Sequence, residues 1–118
     1  MTAIETVRTR LRTDLRQAMR DRDSDRACTL RGALAALDNA EAVPTDARAG
    51  AIEQASVGAG STEAVRRELG TDDIRAIFQA EISERRSAAT DYESAAPDHA
   101  AALRAEAETL SAYLSDLV

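Results

Sequence analysis

The sequence predicts an all-α fold, a small antiparallel helical bundle of about four main helices with one long flexible loop. The 118 residues include 26 alanines and only three aromatic residues, whereas a β-sandwich or barrel needs β-branched and aromatic pairs and frequent turn residues. Apolar residues recur with a helical period in four segments, which argues against a disordered chain. The length predicts a single helical domain over residues 1–118.

Residues 1–43 are predicted to form a helical hairpin. Thr2 and Glu5 have the spacing of a capping box, so the first helix should begin almost at the start of the chain. The second helix should begin at a cap on Asp23 or Ser24 and fade near Glu41. The short turn between the two helices predicts antiparallel packing. The expected buried stripes are Ile4, Val7, Leu11, Leu15 and Met19 in the first helix and Ala27, Leu30, Leu34 and Leu37 in the second.

Residues 44–70 are predicted to be a loop and connector, because small and polar residues replace the helical period there. A helical turn is expected near 46–56, while residues 62–69 fit either a short helix or an extended connector. The breakers in this segment are Pro44, Gly50, Gly58 and Gly60.

Residues 71–118 are predicted to form a hairpin of long helices. Thr71 is the expected N-cap of a third helix that runs to Ala95, and Pro97 should lie near the first position of the fourth. The expected buried residues are Ile74, Ile77, Phe78, Ile82, Ala89 and Tyr92 in the third helix and Leu103, Ala107, Leu110, Leu114 and Leu117 in the fourth. The steps of four and three in the last helix are typical of close antiparallel packing.

The residue types predict no catalytic residue, no metal site and no cofactor. Nucleophilic catalysis needs a base beside the nucleophile, and the sequence has one cysteine and one histidine. Cys28 is expected to be a small buried hydrophobic residue, and His99 a solvated surface residue. A structural zinc site would need more ligands of these types.

The charge is unevenly distributed along the chain. The net charge is −6, and all 15 basic residues are arginines. Residues 1–37 have eight arginines against five acids, whereas residues 38–118 have seven against sixteen. An acidic chain is not a general nucleic-acid coating protein, so no DNA partner is expected. A polyanion should meet the N-terminal third.

Four arginines, Arg8, Arg12, Arg16 and Arg20, recur every four residues along the first helix. Such a stripe is suited to holding phosphates through paired N–H groups. The alternative is a solvated face with local ion pairs, for example those of Asp14 or Asp21 with neighbouring arginines. No aromatic residue accompanies the stripe to stack on bases.

The sequence predicts a cytoplasmic protein without a membrane partner. Its first residues enter a charged amphipathic pattern with no apolar signal-peptide core. The longest apolar run is too short to cross a bilayer, and a single cysteine forms no internal disulfide.

Three stretches resemble the GatB/YqeY family in order and spacing over nearly the whole chain. The first is LRQAMRDRD at 15–23, the second is TLRGALAALDNAE at 29–41, and the third combines RELGTDD at 67–73, EISERRSAATDY at 81–92 and LSAYL at 110–114. The resemblance implies an all-helical domain similar to the helical region of the B subunit of the tRNA-dependent amidotransferase.

In that subunit these helices and a small C-terminal tail domain engage tRNA, while the kinase and amidase chemistry lies elsewhere. The resemblance therefore implies a non-catalytic adaptor associated with tRNA or with an amidotransferase subunit. Carbon–nitrogen ligase activity with glutamine as amido donor is implied by the resemblance alone. The family usually continues through a proline into the tail domain, but this sequence ends at Val118, so we expect that domain to be absent. The alternative is a helical protein-interaction module that does not bind RNA.

Five polar residues match motif positions of the family: Arg31, Asn39, Glu81, Arg85 and Arg86. The resemblance implies that they form a polar surface in contact with tRNA or a protein partner. Glu81 and Arg85 have the spacing of a stabilising i,i+4 pair. The alternative is therefore a structural network of Arg31, Glu81 and Arg85 that determines helix register.

Overall fold

The computed structural model describes residues 1–42 and 68–117. These residues form four helices, which are α1 (Ala3–Arg20), α2 (Ser24–Glu41), α3 (Thr71–Tyr92) and α4 (Pro97–Asp116). The predicted all-α bundle is confirmed. The predicted loop at 44–61, with its helical turn, and the connector up to residue 67 lie outside the described residues.

The predicted caps of α1 and α2 are confirmed. The Glu5 N–H donates to Thr2 Oγ1 at 3.3 Å, and the Thr2 N–H donates to Glu5 Oε2 at 2.9 Å. These two bonds form the capping box and satisfy N–H groups that have no partner inside the helix. At the start of α2, Asp23 Oδ1 accepts the N–H of Arg26 at 3.1 Å. Local sequence therefore determines where both helices begin.

The turn between α1 and α2 is a Schellman motif. The Asp23 N–H donates to the carbonyl of Ala18 at 2.9 Å, and the Arg22 N–H donates to that of Met19 at 3.2 Å. The middle residue of the three between the helices, Arg22, has a φ of 57°, in the left-handed region. Glycine is the usual residue at this position because it has no Cβ to clash with the backbone. This chain places an arginine there.

Both ends of α3 differ from the prediction. The N-cap is Gly70 rather than Thr71, which is the first helical residue. Asp73 Oδ2 accepts the Gly70 N–H at 3.0 Å, so the side-chain bond comes from inside the helix. The helix ends at Tyr92 rather than Ala95. Proline disfavours helical geometry in the residue before it, and the chain leaves the helix before reaching Pro97, which is the first residue of α4 as predicted.

The core lies where the apolar faces of the four helices meet. Its largest fully buried side chains are Leu11, Leu30, Leu37, Leu69, Ile74, Phe78 and Leu110. The most extensive helix contact joins α3 to α4, and the next joins α1 to α2. Leu69 precedes the cap of α3, at the position from which a hydrophobic staple packs on Ile74. Leu69 lies outside the buried stripes predicted from the sequence.

Three predicted burial assignments are wrong. Met19 is 54% exposed and Tyr92 is 45% exposed, and Cys28 is exposed as well. A step of four residues advances about 40° around a helix, so Met19 has rotated out of the α1 stripe and Ala18 is buried instead. Cys28 lies about 140° from the centre of the predicted α2 stripe on the same count. Tyr92 is the last residue of α3, beyond the buried part of the helix.

None of the helices in the two described ranges is long and apolar enough to cross a membrane.

We expect Phe78→Ala to lower the free energy of unfolding by about 3–5 kcal/mol, because it leaves a cavity in the core. The Phe78 side chain is buried and its ring lies 5.7 Å from that of Tyr113. Met19→Ala should change the free energy by less than about 0.5 kcal/mol, since that side chain is exposed. Urea unfolding of both variants measures the difference. Equal losses would contradict this assignment of the core.

Candidate functional site

The position of each arginine around α1 determines what it can contact. At about 100° per residue, Arg8 and Arg10 lie on opposite flanks of the buried stripe of Ile4, Val7, Leu11 and Ala18. Arg12, Arg16 and Arg20 lie farther round, on the side away from the core. The predicted stripe of Arg8, Arg12, Arg16 and Arg20 therefore divides into one flanking residue and three that face solvent.

Arg8 joins α1 to the end of α2. Its guanidinium lies 2.6 Å from Asp38 and also pairs with Glu41, which is nearly buried. The side chain of Arg8 is only 16% exposed. The hydrogen bond to Glu41 raises the pKa of Arg8. Both contacts are made by Nη2, so Arg8 joins the two helices and its charge is balanced by Asp38 and Glu41.

Arg10 joins α1 to the end of α4. Its guanidinium pairs with Asp116, lies 3.7 Å from Asp14 and stands 4.5 Å from the centre of the Tyr113 ring. The hydroxyl of Tyr113 donates a hydrogen bond to Asp14. Burial raises the pKa of Tyr113, and the hydrogen bond to Asp14 raises it further. The sequence predicted Asp14 as a local partner for arginine. It gave no sign of the contact with Tyr113, because that contact spans 99 positions.

We use the name solvent-face arginines for Arg12, Arg16 and Arg20, all of which are exposed. Arg16 donates to Thr13 at 3.4 Å and Arg20 donates to Gln17 at 2.9 Å. Both acceptors are neutral, and none of the three pairs with a carboxylate among the described residues. Asp21, a predicted partner, instead accepts from Gln17 at 2.9 Å. The charges of the solvent-face arginines are therefore not neutralised by a local ion pair.

A surface cavity of about 300 Å³ lies at the end of the α1–α2 hairpin, and we call it the hairpin-end cavity. Arg31 lines it together with Arg22, Asp23 and Met19. Arg31 is exposed and makes no ion pair within the described residues. Asn39 is also exposed, near the other end of α2.

Arg85 joins α3 to α4. It donates to Glu106 at 2.9 Å, to Glu81 Oε2 at 3.3 Å and to the Glu81 carbonyl at 3.1 Å. Its side chain is 18% exposed. A Cβ on Gly32 of α2 would lie 3.8 Å from Arg85 Nη2, so the guanidinium packs beside that helix as well. Arg31 lies outside this network.

Arg86 is exposed, unlike its neighbour. It lies 3.6 Å from Glu108 and donates weakly to Ser111 at 3.5 Å. Adjacent motif residues therefore have different environments, because successive positions on a helix face about 100° apart.

Cys28 and His99 have separate surroundings in the described part of the chain. Cys28 lines a groove of about 550 Å³ between α2 and α4, whereas the His99 ring packs against Tyr92, with the ring centres 4.5 Å apart. No hydrogen bond joins the thiol to the imidazole in the described part of the chain. Within residues 1–42 and 68–117, no group of three or more His, Cys, Asp or Glu side chains could hold a metal ion.

The described residues define a small all-α protein with a structural ion-pair network and a set of exposed arginines. Residues 8–117 match the family described as Yqey-like protein. The chain therefore belongs to the YqeY-like family, as the sequence motifs predicted. No curated protein and no solved structure matches the chain significantly.

The stability of the protein should fall as the pH rises above about 10, the ordinary value for tyrosine. The pKa of Tyr113 is raised in the folded state, so this contribution is complete below the unfolded pKa and is lost as the pH rises through the folded pKa. Tyr113→Phe should remove this part of the pH dependence. Urea unfolding between about pH 9 and 11 measures it. The same slope in both proteins would contradict the prediction.

We expect Arg85→Ala to cost about 2 kcal/mol of unfolding free energy, because it leaves two carboxylates without their cation. The cost should be below that of a fully buried pair, since Glu81 and Glu106 keep some exposure. Arg86→Ala removes the same charge from the next position and should cost less than about 0.5 kcal/mol. Thermal or urea unfolding compares the two variants. A larger loss for Arg86→Ala would contradict the assignment of Arg85 as the structural arginine.

Proposed function

We propose that this protein is a non-catalytic, YqeY-like helical adaptor associated with tRNA or with tRNA-dependent amidation. Membership of the YqeY-like family supports the proposal. The observation that carries it is the set of solvent-face arginines on α1. They are exposed and lack carboxylate partners among the described residues, although acids outnumber arginines by six in the whole chain.

The electrostatics favour an anionic partner on this face of α1. A phosphate bound by an arginine releases counterions, which supplies much of the affinity for nucleic acid. Arg8 and Arg10 lie on the flanks and are occupied by Asp38, Glu41 and Asp116. These ion pairs attach α1 to α2 and α4, whereas the solvent-face arginines are exposed. Arginine can also contact a phosphate through two N–H groups at once.

The adaptor role assigns no reaction to the chain itself. Where an amidation reaction is involved, the chemistry would belong to a partner such as an amidotransferase subunit, and this protein would contribute binding. Asn39 and Arg86 are exposed and belong to the proposed surface for tRNA or that partner. Arg85 is mainly structural because Glu81 and Glu106 occupy its guanidinium. A protein-interaction module without RNA binding is the competing function, which the experiment below separates.

The test is an anisotropy titration of labelled tRNA with the full chain at low and rising salt. We expect micromolar binding that weakens linearly with the logarithm of salt concentration. Arg12→Ala/Arg16→Ala should weaken binding at low salt by about tenfold or more and reduce the salt slope by roughly two, one for each phosphate contact.

The matched control is Arg75→Ala/Arg104→Ala, which removes the same charge from the α3–α4 hairpin. These arginines lie 2.7 Å from Asp72 and 3.6 Å from Glu93, so their charges are locally balanced. The control should change the affinity by less than about twofold. If wild-type protein does not bind tRNA at low salt, the interaction module is favoured. Equal losses in the two double variants would show that net charge alone drives binding.

A further inference from the structure

The hairpin-end cavity differs from the solvent-face arginines because side chains from two helices and their turn converge on one volume. Arg22 and Arg31 both line it, and neither makes an ion pair or side-chain hydrogen bond within the described residues. Two guanidinium groups beside one cavity are suited to a single anion, since each can offer paired N–H donors to its oxygens.

The carboxylate in the same cavity is already engaged. Asp23 Oδ1 accepts the backbone N–H of Arg26 at 3.1 Å, at the start of α2, where the helix dipole favours a negative charge. The cavity lining therefore includes two arginines and one carboxylate, which is hydrogen-bonded to the start of the helix. The lining therefore has one net positive charge, which favours an anion. The net charge of the whole chain, in contrast, is −6.

An apolar side chain lines the same cavity as the two arginines. Met19 lines the cavity and is 54% exposed, although an apolar side chain is better stabilised in the core. A thioether makes favourable contacts with aromatic rings. Met19 therefore gives the cavity an exposed apolar side chain that is suited to contact with a flat ring.

The backbone conformation of Arg22 allows its charge to be removed without disturbing the turn. The residue has a φ of 57° and follows the C-terminus of α1, where glycine is favoured. Arg22→Gly should therefore preserve the turn while it removes one guanidinium from the cavity.

We propose that the hairpin-end cavity binds one unpaired nucleotide of an RNA strand. Arg22 and Arg31 contact its phosphodiester, and Met19 contacts its base. This inference rests on the proposed association with tRNA, and it names an unpaired loop or end of the RNA as the bound segment. Only unpaired bases expose a face to a side chain, because the bases of an RNA duplex are stacked and its major groove is narrow.

The experiment uses a tryptophan reporter, because the chain contains no tryptophan. Met19→Trp places an indole at the cavity, and Tyr92→Trp places one at an exposed position in the turn region between α3 and α4. Addition of tRNA, or of a short single-stranded oligoribonucleotide, should quench the fluorescence of the Met19→Trp variant by base stacking. It should leave the fluorescence of the Tyr92→Trp variant unchanged. An RNA duplex of the same length should quench the Met19→Trp variant much less.

Arg22→Gly/Arg31→Ala in the Met19→Trp background should abolish the quenching and weaken tRNA binding by about tenfold or more. Arg75→Ala/Arg104→Ala in the same background should leave the quenching unchanged. A melting temperature of Arg22→Gly that is not below that of the wild type shows that the turn is intact.

The outcomes separate the two proposals. If tRNA binds but the indole at the cavity is not quenched, or if Arg22→Gly/Arg31→Ala behaves like the control, the cavity is not the RNA site and the proposed function stands. Equal quenching of that indole by duplex and single strand would overturn the assignment of an unpaired nucleotide. If tRNA does not bind at all, the proposed function fails together with this inference.

Discussion

Burial of the narrow apolar face of α1 is the constraint on which the other features of the surface depend. Ile4, Val7, Leu11 and Ala18 are buried, so the rotation of the helix about its axis is determined by the free energy of burying these side chains. Once that rotation is set, each arginine of α1 lies on a flank or faces solvent. The helical period then gives the direction of each arginine, and the carboxylates of the neighbouring helices decide which of them are paired.

The ion pairs reinforce this packing at the places where helices meet. Arg8 pairs with two carboxylates of α2, and Arg85 pairs with Glu81 of its own helix and Glu106 of α4. A guanidinium can bridge two carboxylates because it offers several donors in a planar arrangement, which an ammonium group does not. The absence of lysine from the sequence agrees with this use of the cationic side chains. Pairs of this kind favour one helix register over its alternatives.

The small size of the core restricts where function can be placed. The interior of the described bundle is filled mainly by apolar side chains, with Tyr113, Thr29 and Glu41 buried as well. The other charged groups of the described residues are partly or fully exposed. The proposed adaptor role needs exposed charge without a local partner, and the solvent-face arginines of the α1–α2 hairpin supply it. The acidic α3–α4 hairpin packs against it and supplies Ile74, Phe78 and Leu110 to the core.

The sequence by itself determined the helical class and most helix starts, because caps and prolines act within a few residues. Thr2, Asp23 and Pro97 illustrate this, whereas the cap of α3 was misplaced by one residue because Asp73 satisfies the Gly70 N–H from inside the helix. The motifs also identified the family. Only the tertiary structure decided which side chains are buried, exposed or paired. It exposed Met19 and Cys28 and buried Leu69. It also paired Arg8 with Asp38 and Glu41. Spacing along one helix specifies a direction for each side chain, but the neighbour that occupies that direction comes from a distant part of the chain.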